Sequence, residues 1–436
     1  MARILVTGGT GYIGSHTTVE LMQQGYDVVI VDNLSNSNAD VLDGIEAIVG
    51  TRPPFEQVDC NDAPAMAGVF TRYPDIVGVI HFAASKAVGE SVEQPLLYYR
   101  NNLMSLVTLL EQMKAHNVHN IVFSSSCTVY GQPTPEHLPV DETAPIQVAL
   151  SPYGNTKQIN EEIIRDEAHA DKSLQATILR YFNPIGAHPS AMIGELPNGV
   201  PQNLLPFVTQ TAIGLRKELK VFGNDYNTPD GSCIRDYIYV VDLAKAHVKA
   251  VERMISGQSE EQVEVFNLGT GRGLSVLEIL HTFMQVTGVD VPYEIVGRRE
   301  GDIEQVWADP SYANKMLNWK AEVSLEDTVR SIWKWQLHLA EQVCSLRKEL
   351  GLREESMDDL MMLSEESLNS SIKTFNEFKE SNTFNVNKLP KIESTALVSE
   401  EQDNTSKEVQ EFANGKNLSN KEYEESSIDD WFKKMT

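Results

Sequence analysis

The segment Thr7-Gly8-Gly9-Thr10-Gly11-Tyr12-Ile13-Gly14 constrains the fold more than any other part of the chain. It follows a short apolar run, Ile4–Val6, and opens a helical pattern from about Tyr12 to Gln24, which Gly25 stops. Gly9, Gly11 and Gly14 give GxGxxG, whereas Gly8, Gly11 and Gly14 give GxxGxxG. Under both spacings the missing side chains let the backbone approach a pyrophosphate. The helix start then offers free N–H groups to it. An ordinary tight turn between strand and helix favours glycine too, so the glycines alone do not decide.

Asp32 adds the second feature. It ends the next apolar run, Asp27–Val31, roughly 20 residues on, where an acid accepts hydrogen bonds from an adenosine ribose. A carboxylate there repels a 2′-phosphate. Asn33-Leu34-Ser35-Asn36 follows without an arginine, which favours NAD over NADP. Asp59, after the third strand, is placed to meet the adenine edge or to be a surface-loop aspartate.

Further buried-strand candidates are Val77–Phe82, Asn120–Ser124 and Ala176–Tyr181, with helical stretches at Leu96–His116 and Tyr153–His169. This alternation predicts an α/β fold with a doubly wound parallel sheet of the Rossmann kind. Residues 184–232 are rich in Pro, Gly and Asn and suit long substrate-facing loops. Residues 233–340 return to mixed elements and end in an aromatic-rich helical pattern, Val329–Ala340. Beyond 341, Ser, Glu, Asn and Lys dominate and the acidic excess is nine charges, the composition of a disordered segment. The expected organisation is therefore 1–183 for the dinucleotide, 184–340 as a smaller mixed domain that exchanges some elements with the first, and 341–436 as an acidic tail. Within that tail Ile428, Trp431, Phe432 and Met435 share one helical face behind Ser427, and Ser356–Met361 begins similarly. Both patterns suit docking helices for a protein partner or for the chain's own surface, and equally a fraying terminus without function.

The net charge of −26 argues against nucleic acid or an anionic membrane as partner. No apolar stretch reaches about 18 residues, and Ile4–Val6 is too short for a signal peptide. Cys60, Cys127, Cys233 and Cys344 are scattered without a CxxC pair, which fits free thiols in the cytosol and no metal site.

Tyr153 and Lys157 form YxxxK, four residues apart on a helix, which puts both on one face. A phenol is a poor base at neutral pH, and a neighbouring ammonium favours its phenolate. Alone, the spacing is common on helix surfaces. About 27 residues earlier, however, a strand runs into Ser124-Ser125-Ser126, where a hydroxyl can share a substrate proton with Tyr153.

Together these features resemble the extended short-chain dehydrogenases/reductases, and within them the UDP-hexose 4-epimerases, over about residues 1–340. The likeness rests on Thr7–His16, Lys86-Ala87-Val88-Gly89-Glu90-Ser91, Ser151-Pro152-Tyr153-Gly154 with Lys157, and Arg180-Tyr181-Phe182-Asn183-Pro184. It continues through Phe222–Tyr226, Arg235-Asp236-Tyr237 and Arg298-Arg299-Glu300-Gly301-Asp302. The resemblance implies reversible inversion at C4 of a UDP-hexose on tightly held NAD, through a 4-keto sugar, in a homodimer. It implies that Tyr153 removes the 4-hydroxyl proton, its pKa lowered by Lys157 and the nicotinamide charge, with Ser126 bridging.

Carried over residue by residue, the resemblance gives the dinucleotide Gly8, Gly11, Tyr12, Ile13 and Gly14 from the glycine loop. From the second and third strand ends it adds Asp32, Asn33, Asn36, Ser37, Asp59 and Cys60. Phe82, Ala83, Lys86 and Asn101 follow, then Ser124, Tyr153, Lys157 and Tyr181. For the UDP-sugar it implies Lys86, Ser126, Tyr153, Asn183, Asn203, Leu204, Phe222, Arg235, Tyr237, Arg299, Asp302 and Val306, with Asp302 on a uridine ribose hydroxyl.

Three positions depart from the family pattern. Ala84-Ser85 replaces Gly-Leu beside the cofactor and bears on NAD retention. Cys127 replaces a small residue after Ser126 and reads as a buried hydrophobe. Val306 stands where strict glucose/galactose epimerases carry tyrosine, which leaves room for a 2-acetamido group. Two rival readings remain: a dehydratase or decarboxylase on the same fold, and a non-catalytic NAD or UDP-sugar sensor. A dehydratase needs an acid and a base after the strand-end serine, and Cys127-Thr128 supplies neither. Intact Tyr153, Lys157 and Ser126 argue against the sensor.

Overall fold

A computed structural model describes residues 2–299 and 302–349. The chain opens with β1 (Arg3–Thr7), α1 (Tyr12–Gln23), β2 (Asp27–Asp32), α2 (Val41–Val49), β3 (Phe55–Gln57), α3 (Ala63–Arg72) and β4 (Ile76–His81). Two helices in tandem, α4 (Val88–Glu93) and α5 (Pro95–Ala115), lead to β5 (Asn120–Ser126), α6 (Pro152–Ala170) and β6 (Gln175–Tyr181). The remainder is mixed. It begins with β7 (Asn183–Ile185), α7 (Leu204–Ala212), β8 (Leu219–Phe222), β9 (Ile234–Tyr239), α8 (Val240–Ile255) and β10 (Val263–Leu268). It ends with β11 (Gly273–Ser275), α9 (Val276–Thr287), β12 (Tyr293–Val296), β13 (Gln305–Val306), α10 (Ser311–Met316) and α11 (Leu325–Glu349).

Seven strands form one parallel sheet in the order β10-β6-β5-β4-β1-β2-β3. Side chains alternate across each strand, so both faces are apolar and both need cover. Ile4, Val6, Val28 and Ile30 meet Val19 and Leu21 of α1 and Leu243 and Val251 of α8 on one face. Leu5, Val29 and Val31 meet Met66 and Phe70 of α3 and Leu106 and Leu109 of α5 on the other. Each of these side chains contributes about 1.5–3 kcal/mol by leaving water. The chain winds outward one way through β1, β2 and β3 and the other way through β4, β5 and β6. The direction switches between β1 and β4, and there a crevice opens beyond the carboxyl ends of the strands.

The last strand of this sheet, β10, comes from far along the chain, and α8 before it packs on α1. A smaller sheet joins β7, β11 and β13 to β9, and β8 pairs with β12. Residues 184–232 hold more structure than their composition predicts. Leu205 and Val208 of α7 are buried, but prolines and glycines on both sides interrupt the helical period that would reveal it. The aromatic pattern at 329–340 is the middle of α11, which continues past the compositional change at 341. The expected helices at 356–361 and 428–435, most of the acidic tail and the Cys344 side chain lie outside the described residues. Among the described residues no helix is long and apolar enough to cross a membrane, and no cluster of His, Cys, Asp and Glu could hold a metal.

Candidate active site

The turn after β1 closes through Gly8, Gly11 and Gly14. Gly8 has φ +69, and a Cβ there would lie 2.8 Å from the Ala83 backbone nitrogen. The Gly11 N–H donates to the Gly8 carbonyl at 3.1 Å, and a Cβ on Gly14 would overlap that same carbonyl. No side chain caps α1, so its first turn, Tyr12, Ile13 and Gly14, presents N–H groups toward the crevice. The Tyr12 ring itself turns away, its hydroxyl donating to the Gly186 carbonyl at 2.6 Å.

Asp32 is buried at the end of β2 and accepts from the Leu34 N–H at 2.9 Å, the Ser37 hydroxyl at 3.0 Å and the Thr10 N–H at 3.3 Å. It therefore ties the glycine loop to the β2 loop. Asn33 donates to Asp59 at 3.1 Å, and Asn61 joins Asp59 to Asn101. Burial works to raise the Asp59 pKa, but donors from Asn61 and Asn33 outweigh it and lower the value. Asn36 is exposed at the rim. Cys60 is buried and its thiol is pushed up to about 12 by burial and by Asp32 and Asp59, so it packs rather than reacts. A cradle that excludes side chains, an uncapped helix start and a buried acid at the neighbouring strand end fit an adenine dinucleotide.

Across the crevice, Phe82 lies against His247 with ring centroids 4.8 Å apart, and Ala83 faces Gly8. Ser85, one of the departures, is held on three sides. Its N–H donates to Asn102 at 2.8 Å, its carbonyl accepts from Asn102 at 3.0 Å, and its hydroxyl accepts from Asn101 at 3.0 Å. Asn102 also donates to Thr156 at 3.0 Å, beside Lys157. The Lys86 side chain is half exposed and stands 4.0 Å from Glu195.

Tyr153 and Lys157 lie on α6, which Ser151 caps by accepting from the Gly154 N–H at 3.1 Å. The Lys157 ammonium is buried, donates to the Ser124 carbonyl at 2.6 Å, and sits 5.8 Å from the Tyr153 ring centre. Ser126 lies close enough to Tyr153 to lower its pKa, and the Ser124 hydroxyl meets the Tyr181 phenol. The strand-end serines, the phenols and the ammonium thus converge where β5 meets α6. Electrostatically the site departs from the expected lowered phenol. Burial raises the Tyr153 pKa well above its ordinary value and Tyr181 adds to this, while Ser126 pulls the other way. Burial also lowers Lys157 to about 7, with Glu161 opposing it.

A family profile described as GDP-mannose 4,6 dehydratase matches residues 5–332. The chain is 51% identical over 343 residues to a bifunctional protein of Pachysolen tannophilus, covering 77% of this chain and 49% of that one. It is 50% identical over 333 residues to a UDP-glucose 4-epimerase of Bacillus subtilis, covering 76% of this chain and 96% of the relative. The chain belongs to the UDP-glucose 4-epimerase family. It thus spans about half the length of the bifunctional relative and nearly all of the bacterial one. The crystal structure of the Bifidobacterium longum UDP-glucose 4-epimerase with NAD+ and UDP aligns with a TM-score of 0.74 at 48% identity, over 77% of this chain and 98% of that one.

The remaining residues implied by the resemblance belong to the second half of the chain. Asn183 opens β7, pairing in register with Tyr237 of β9. Asn203 precedes Leu204 at the start of α7, and its amide donates to Glu195 at 2.6 Å. Arg235 and Arg299 both act on the buried Cys233 thiol, whose pKa burial raises and they lower. The Arg299 guanidinium lies 5.4 Å from the Phe222 ring centre and 2.8 Å from the Asp302 carboxylate, so Asp302 already holds an arginine. Val306 pairs in register with Arg235 and is buried with Val129, Tyr130 and Phe182, with Cys127 at the edge of the cluster. Burial pushes the Cys127 thiol up to about 11, which keeps it a packing residue.

Sequence reading missed Glu161, Glu195 and Asn102. Glu161 follows Lys157 by the same four residues that separate Lys157 from Tyr153, a spacing that could have exposed it. Glu195 lies in a loop without periodicity, and Asn102 is one polar residue on a long helix. Neither carries a local signal.

Proposed function

We propose that this chain inverts C4 of a UDP-hexose, interconverting UDP-glucose and UDP-galactose. The observation that carries the reading is the convergence of Tyr153, Lys157 and Ser126 at the carboxyl end of β5. NAD, when bound there, would supply the hydride acceptor, and its positive nicotinamide would offset the burial cost on the Tyr153 phenolate. Gly8, Gly11, Gly14 and Asp32 hold its adenosine diphosphate half, and Phe82, Lys86, Ser124 and Tyr181 line its other half.

The phenolate of Tyr153 takes the proton of the 4-hydroxyl directly or through Ser126 and gives it back at the end of the cycle. Lys157 holds that phenolate charged, from a place fixed by the Ser124 carbonyl. Arg235 and Arg299 grip the diphosphate through charge-assisted bonds. Asn183, Asn203, Leu204, Phe222, Tyr237 and Asp302 complete the nucleotide wall. That division of labour assigns residues 1–183 to the cofactor and 184–340 to the UDP-sugar. A coupled assay of UDP-galactose turnover tests it, and release of NAD on denaturation tests the cofactor.

Valine at 306 favours a wider range that includes UDP-GlcNAc and UDP-GalNAc, tested by assaying both. The family profile bears a dehydratase name, but Cys127-Thr128 after Ser126 supplies no acid or base for expelling water. The exposed apolar side chains Val92, Leu96, Leu97 and Met104 along α4 and α5 favour a homodimer, measurable by light scattering. Free thiols at Cys60, Cys127 and Cys233 favour the reducing cytoplasm. The tail beyond 341 is assigned a docking role for a protein partner, which pull-downs with and without it test.

A further inference from the structure

Lys157 is charged only at a cost, because it is buried among few compensating groups. From β5 it receives the Ser124 carbonyl at 2.6 Å and the Phe123 ring face at 5.0 Å. From β4 the buried imidazole of His81 faces it. From its own helix it meets Tyr153 on one side and Glu161 one turn on. Glu161 is 4% exposed, and its side chain points down the same helix face.

Glu161 is itself fixed from three elements. Arg180 of β6 grips it with two parallel hydrogen bonds, one of them 2.9 Å from Nε, and is itself 4% exposed. The Ser125 hydroxyl of β5 donates to it at 2.6 Å, and Arg165 of α6 approaches to 3.6 Å. Arg180 in turn donates to the Tyr130 hydroxyl at 3.0 Å, which donates to Asn267 of β10 at 2.7 Å. Buried ion pairs are weak stabilisers. This one lies directly beneath the strand-end serines and one turn from the lysine.

We propose that Glu161, locked by Arg180 and Ser125, is a positioning residue that keeps Lys157 charged and Ser126 aligned during turnover. Its carboxylate is the negative charge that opposes the desolvation of the ammonium. Its bond to Ser125 fixes the strand end between Ser124, which holds Lys157, and Ser126, which meets Tyr153. The inference rests on the reading of Tyr153 and Lys157 as the proton-handling pair.

The test is the pH profile of kcat in the NAD-loaded enzyme, with Glu161→Gln and Glu161→Asp beside the parent chain. A nearby opposite charge moves a pKa by about one to three units, and the Arg180 partner puts Glu161 at the lower end of that span. Glu161→Gln is expected to bring the alkaline limb down by about one unit or more, so activity there falls about tenfold further than at the optimum. Glu161→Asp keeps the charge and restores the limb. The tyrosinate absorbance assigned by difference against Tyr153→Phe shifts to higher pH in Glu161→Gln. A profile of unchanged shape at lower amplitude, or equal shifts in both variants, overturns the proposal. If Glu161→Gln does not fold, Ser125→Ala, which frees the carboxylate from the strand end and leaves the Glu161–Arg180 pair in place, carries the test: kcat is expected to fall at unchanged KM, and a parental kcat overturns the proposal. Full activity in Tyr153→Phe would instead sink the underlying reading, so the two failures are distinguishable.

Discussion

Lys157 donates a 2.6 Å hydrogen bond to the backbone carbonyl of Ser124. That bond ties α6 to the carboxyl end of β5 and sets where this buried ammonium can stand. Replacing Lys157 with methionine keeps the buried volume but removes the donor and the charge. The expected outcome is a loss of about 10²–10⁴ in kcat. The unpaired Ser124 carbonyl costs a further ~1–3 kcal/mol of stability. Steady-state kinetics and urea unfolding measure the two effects separately.

The glycine cradle predicts a loss of cofactor rather than of fold. A Cβ at Gly14 overlaps the Gly8 carbonyl, so Gly14→Ala forces the loop apart where a pyrophosphate must approach. The nucleotide released on denaturing the purified variant should fall well below one per chain. Gly297→Ala is the control, since nothing lies near its added Cβ, and it should retain the parental stoichiometry.

Three buried histidines predict acid sensitivity. Burial holds His16 and His81 down to about 3 and His247 down to about 4. The unfolded chain takes up these protons below about pH 6.5, and the folded chain does not. Stability should therefore fall as pH drops from about 6.5 toward 4, at up to about 1.4 kcal/mol per unit for each histidine. Urea midpoints across that range check the slope, and midpoints independent of pH above 5 would contradict it.

How much of this was legible beforehand depended on whether a signal was local. The glycine loop, Asp32 and YxxxK each announce themselves because spacing, strand end and helix face are read within one element. Those features alone pointed to the parallel sheet and to the crevice at its carboxyl edge. Among the elements that escaped reading were α2 and α7, where short length and flanking Pro or Gly erase the period. The sheet's last strand, β10, could not be placed by pattern, since its partner residues lie 87 positions earlier. The sign of the Tyr153 shift was also beyond reach. Proximity of Lys157 is visible in the spacing, but the desolvation that outweighs it is a property of the packed site.

Arg299 and Asp302 face each other at 2.8 Å beside Phe222. Arg299→Ala should raise KM for the UDP-sugar by about 10- to 100-fold, the worth of one charge-assisted pair of bonds, and leave kcat nearly unchanged. Competition by free UDP should weaken in parallel, because the proposed contact is to the nucleotide and not to the sugar.

The most direct measurement is turnover of UDP-galactose by Tyr153→Phe carrying its full complement of NAD. Removing one oxygen from a buried ring leaves the cradle, the lysine and the arginine wall in place. The account predicts unchanged cofactor content and a kcat lower by about 10²–10⁴. Turnover at the parental rate by that variant would contradict it.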